Sequence, residues 1–178
     1  MRDPIWGNDV DWAAFPWPEP GDYDRRQILS ALRAVIRPAP ADWSDPGTLV
    51  RFAVGNDHRG TVYPAAVAMT DVLLKIAAAC PGEPRRVALD VLEAWWSGFE
   101  PESGFASYVD AAGHRVAVLP EIARRVTAAT DLLTGIEARA LLTVIPLGWG
   151  HTLNEDGGVE FWGGRLNPDG SVHFPRGG

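Results

Sequence analysis

From Asp22 the apolar positions Ile28, Leu32, Val35 and Ile36 recur at helical spacing, and Pro38-Ala39-Pro40 breaks the run, which predicts a first helix. Ser44-Asp45-Pro46 then supplies a cap and a first-turn proline for a short second helix through Leu49, Val50, Phe52, Ala53 and Val54, ending near Gly55-Asn56. Thr61-Val62-Tyr63-Pro64 leads into an apolar stripe of Val67, Thr70, Leu73, Leu74 and Ala77 that closes at Cys80-Pro81-Gly82. Glu83 or Pro84 opens the next helix, with Val87, Val91, Leu92, Trp95 and Trp96, and a link this short makes the two helices antiparallel. Leu119-Pro120 repeats the chemistry of Tyr63-Pro64 and predicts a helix through Ile122, Val126, Ala129 and Leu133. A last helix runs from about Gly135 through Leu141, Leu142 and Val144 to Pro146.

Other stretches lack the helical period. Residues 1–21 mix Pro and Gly with Trp6, Trp12, Phe15 and Trp17, which predicts an extended arm laid across the body, because rings at that density are costly to leave in water. Residues 99–118 form an inserted loop with an optional hairpin, Ala106–Val109 against His114–Val118. In the tail, Val159, Phe161, Leu166, Val172 and Phe174 surround the turn residues 167–171 and predict a terminal β-hairpin, the only other strand pair expected, after residue 155. The expectation is therefore one mainly all-α domain of stacked antiparallel helical hairpins: arm 1–21, hairpins 22–98, insertion 99–118, hairpin 119–147, and loop with β-hairpin 148–178.

Composition narrows the class. A chain of 178 residues with 46% hydrophobic and 22% charged residues builds a core without staples, and no apolar run reaches a membrane span. The acidic N-terminus and the single Cys80 fit a reducing cytoplasm. The formal charge is −7, and in the first 24 residues Asp3, Asp9, Asp11, Glu19, Asp22 and Asp24 face only Arg2. That balance repels nucleic acid and favours either plain solubility or a basic partner.

Around His58-Arg59-Gly60-Thr61-Val62-Tyr63-Pro64-Ala65-Ala66, with the Leu73-Leu74 helix after it, the chain resembles a group of HEAT-repeat-like proteins of actinobacteria. The resemblance spans about residues 45–98. It implies stacked α-hairpins that bind other macromolecules, and for some members a role as candidate immunity proteins against secreted toxins.

Candidate chemistry is sparse. Asp57, His58 and Tyr63 would mark a pocket if the chain were an enzyme or small-ligand binder, yet a general base needs a positioned partner and the spacing supplies none. His114, His151 and His173 with Glu155 and Asp156 lack metal-ligand spacing, and the serines and Cys80 lack a nucleophile motif, so no catalytic residue, metal or cofactor is implied. The aromatic supply is what asks for a use. Trp95, Trp96, Phe99, Phe105 and Tyr108 crowd one helix end and the loop after it. Core packing is the expected place for most of them, with one of Trp95 and Trp96 facing inward, and those left exposed beside Glu100 and Glu102 would offer a basic protein both anchor and charge. The reading is a cytoplasmic, monomeric protein-binding module, in its sharper form an immunity protein covering a toxin's active site. A small-ligand protein and a structural adaptor are the alternatives.

Overall fold

The computed structural model describes residues 6–19, 21, 23–37, 45–133, 135, 138, 141–143 and 145 in full, and the backbone alone of 152–153, 159–161, 164–166 and 172–173. The fold is mainly helical, with small sheets. Helix α1 spans Arg25–Ile36 and buries Ile28, Ala31, Leu32 and Val35, while the Asp24 carboxylate accepts from the Arg26 N–H at its start. Helix α2, Pro46–Ala53, begins as its Asp-Pro pair predicts, with Asp45 accepting from the Thr48 N–H at 2.8 Å.

Helix α3, Ala65–Ala79, departs from the expected stripe: eleven of its fifteen residues are buried. An apolar helix without a polar face belongs in the interior, and α3 packs against both α4 (Glu83–Gly98) and α5 (Val118–Ala128). Gly82, at φ +78°, turns the chain between α3 and α4 in the left-handed region, and the Arg85 guanidinium donates to the Ala77 carbonyl across the turn. The two helices form the expected antiparallel pair. Helix α4 also meets α1 and α2, so its buried surface is broad. Helix α5 stops short of Leu133. The Thr130 hydroxyl donates to the Thr127 carbonyl at 2.6 Å, a local bond that competes with the helix, and the chain tightens into a 3₁₀ turn at Thr130–Leu132. Of the helix expected from about Gly135, Ala138 and residues 141–143 are helical, and Ala138 and Leu141 join the core; the remainder lies outside the described residues.

The arm lies on the body, as its tryptophans demand. Trp12 is 1% exposed and its indole N–H donates to the Gly7 carbonyl at 2.8 Å. Gly7, at φ +74°, sits so close to Leu32 that a Cβ would come within 2.7 Å of its Cδ1. Trp17 donates to the Trp12 carbonyl and packs against Tyr23 and Tyr63, while Arg25 grips Asn8 and Lys75 pairs with Asp9 at 3.7 Å.

Strands are more numerous than the sequence pattern predicts. Strand β1 (Gly55–Asn56) pairs antiparallel with β2 (Thr61–Val62), and β2 pairs parallel with β3 (Glu100–Pro101). Two-residue strands carry no period to detect; their signature is Gly55, where a Cβ would lie 2.3 Å from the Thr61 carbonyl oxygen. The optional hairpin is present as β4 (Ser107–Val109) and β5 (Arg115–Ala117). In place of one terminal hairpin the tail holds four antiparallel strands, β6 (Thr152–Leu153), β7 (Val159–Phe161), β8 (Gly164–Leu166) and β9 (Val172–His173), the first of them before residue 155. The expected turn residues 167–171 lie outside the described residues.

Trp12→Ala removes a filled core site and should destabilise the protein by about 3–5 kcal/mol in urea unfolding. An unchanged midpoint would show the arm to be dispensable to the fold.

Candidate functional site

The insertion is held at its root by backbone pairing. The Glu100 N–H donates to the Gly60 carbonyl at 2.8 Å, the Glu102 N–H donates to the Val62 carbonyl at 2.9 Å, and the Thr61 hydroxyl donates to the Glu102 carboxylate at 2.7 Å. Gly104, at φ +82°, then turns the chain into β4. At the hairpin tip the Asp110 carboxylate accepts from the N–H groups of His114 and Ala112, both at 2.9 Å, and the first of these is the main reason its pKa is lowered.

The arm crosses this hairpin. Phe15 meets Tyr108 with ring centroids 5.6 Å apart, and an open-sided groove of about 500 Å³ lies between the two segments. Ala14, Phe15 and Pro16 form one wall; Gly104, Phe105, Ser107, Tyr108 and Val109 form the other. Val109 is 60% exposed. The two segments, residues 6–19 and 99–117, carry six carboxylates, Asp9, Asp11, Glu19, Glu100, Glu102 and Asp110, against the single cation Arg115. Burial raises the Tyr108 phenol above its ordinary pKa.

Phe105 and Tyr108 are thus brought together, with Phe15 as the partner that sequence spacing does not reveal. Glu100 is exposed, and Glu102 is half-buried on Thr61. Trp95, Trp96 and Phe99 are a correction to the expected rim: at 0%, 6% and 9% exposure they belong to the core, because α4 is covered from two sides. Among the described residues the Trp95 indole N–H has no acceptor.

Asp57, His58 and Tyr63 do not converge. Asp57 accepts from the Arg51 guanidinium at 2.5 Å, and Arg51 also reaches Thr48. His58 is exposed with its ring edge-on to Phe52 at 4.8 Å, whereas Tyr63 is buried against Trp17. Among the described residues no group of three or more His, Cys, Asp or Glu side chains is arranged to hold a metal ion. No described helix is long and apolar enough to cross a membrane.

Beside the groove, α5 is tied to α3. Arg125 pairs with Asp71 and donates to Glu121 at 2.9 Å, and Glu121 also receives Arg124 at 2.7 Å. A second hollow of about 530 Å³ lies over these groups, with Lys75 and Leu132 at its margin. Its cations Lys75, Arg124 and Arg125 are paired with Asp9, Glu121 and Asp71, so this cluster carries no net positive charge to attract an anionic ligand.

The chain matches no protein-family model, no curated protein and no solved structure. The functional reading therefore stands on the geometry of the groove.

The hydrogen bond from Arg124, followed by that from Arg125, holds the Glu121 carboxyl at a pKa of about 2, below its ordinary 4.5. A depressed folded-state pKa gives stability that is complete above about 4.5 and lost as pH falls through about 2. Chemical unfolding across that window should show wild-type stability declining more steeply than that of Glu121→Gln, which has no proton to take up there. Parallel declines would place the carboxylate outside the folding balance.

Proposed function

We propose that the chain is a protein-binding module whose groove between arm and insertion receives a basic partner. In its sharper form it is an immunity protein that neutralises a toxin by covering the active site. The observation that supports this is a groove with Phe15, Phe105 and Tyr108 in its walls, on two segments with six carboxylates and one arginine. Apolar rings supply the desolvated anchor of an interface, and the surplus charge attracts and orients a cationic surface. In this reading the packed pairs α1 with α2 and α3 with α4 act as a degenerate HEAT-like stack, and their role is to hold the groove rigid. A cytoplasmic site of action belongs to the same proposal. The enzyme or small-ligand reading at Asp57, His58 and Tyr63 has less support, since Asp57 is engaged by Arg51 and Tyr63 is covered by Trp17.

The test is kinetic. A pull-down from the native host with mass-spectrometric identification names the partner, and stopped-flow mixing then measures its association. The on-rate should fall as salt rises, because attraction between exposed charges is screened over about 8 Å at physiological ionic strength. Asp11→Lys with Glu100→Lys, both exposed, should slow association several-fold, and Phe105→Ala should mainly speed dissociation. A partner whose rates ignore salt and all three substitutions would overturn the assignment of this groove.

A further inference from the structure

Strand β4 has one free edge. The Val118 N–H donates to the Ala106 carbonyl and the Asp110 N–H donates to the His114 carbonyl, so Ala106, Tyr108 and Asp110 turn their backbone groups toward β5. In an antiparallel ladder the residues between them, Ser107 and Val109, turn theirs the other way. Among the described residues, no other backbone group meets those outward N–H and C=O groups.

The groove runs along that edge. Successive strand residues alternate between faces, so a groove lined by Ser107, Tyr108 and Val109 in turn lies beside the strand rather than on either face. Its opposite wall cannot complete the ladder: Pro16 lacks an N–H, and among the described residues no backbone bond joins the arm to β4. An exposed edge of this kind is a template for one more strand.

We propose that the partner enters as an extended basic segment that pairs with β4 as an added strand. This pairing rests on the protein-binding reading above and specifies the conformation the partner takes. Main-chain bonds to Ser107 and Val109 fix its register. Apolar side chains at alternate positions meet Phe15, Phe105 and Tyr108, and the arginines or lysines between them meet the carboxylates of the two segments. Cationic residues suit the site because the two segments carry five carboxylates besides Asp9, which pairs with Lys75, and one arginine, Arg115, which donates to the Ser107 hydroxyl.

The probe is a short synthetic peptide alternating arginine and valine, titrated into the full chain and followed by the amide signals of Ser107 and Val109. Two further peptides carry N-methyl groups on either all arginine or all valine amides; one register faces β4 and the other faces away. The expected result is that one methylated peptide loses about tenfold in affinity while the other binds as the parent does. Val109→Pro deletes an outward N–H without touching the β4–β5 ladder, and it should lower parent affinity by about tenfold, with Val109→Ala as the side-chain control. The amide spectrum of each variant shows whether the hairpin is intact. Equal binding of both methylated peptides would overturn strand addition and leave a side-chain docking groove, so the protein-binding reading would survive. No binding of the parent peptide would also overturn strand addition, while the native-partner kinetics judge the broader reading separately. A dimer of the chain that Val109→Pro dissolves would make a second copy the occupant and overturn the basic-partner proposal.

Discussion

A helix with eleven of fifteen residues buried cannot rest on the surface of a small domain, and α3 must be covered from several directions at once. Helix α4 covers it after the tight turn at Gly82, α5 covers it from another side, and the arm reaches it through Asp9 and Lys75. The only strongly exposed positions on α3 are Lys75 and the last two alanines before Cys80. Each covering element is then free to present its own outer side to solvent, which is where the arginine and carboxylate pairs of α4 and α5 lie.

That arrangement explains why two segments distant in sequence share a groove. The arm is drawn onto the body by Trp12, which needs both burial and an acceptor for its indole N–H. The insertion is drawn to the start of α3 by its pairing with Gly60–Val62. Phe15 and Tyr108 meet because each is carried by a segment anchored for its own reasons. The charge they share follows from the composition of those segments, which hold six carboxylates and one arginine.

Much of the helical framework was legible from local chemistry. Asp45-Pro46 fixed the start of α2, and Cys80-Pro81-Gly82 fixed the α3–α4 turn, because caps and turns depend on neighbouring residues alone. The burial of Trp95 and Trp96 together was not legible: adjacent helical residues point about 100° apart, and only the flanking of α4 by α3 on one side and α1 and α2 on another puts both inside. The β1–β2–β3 unit was equally hidden, since its partners Thr61 and Glu100 are remote in sequence and its strands too short to show alternation. Of the groove, Phe105 and Tyr108 are visible as an aromatic surplus, whereas nothing local to Phe15 tells which surface the arm crosses.

The bond from Thr61 to Glu102 spans 41 residues, and with the parallel pairing beside it makes a clasp around the whole α3–α4 hairpin. Closing a loop of that length from an unfolded chain is entropically expensive, but a preformed antiparallel helix pair already brings its two ends to the same side. The clasp therefore closes at small additional entropic cost once the helices have docked. Loosening it would free the root of the insertion, while the arm's wall of the groove stays fixed to the core through Trp12.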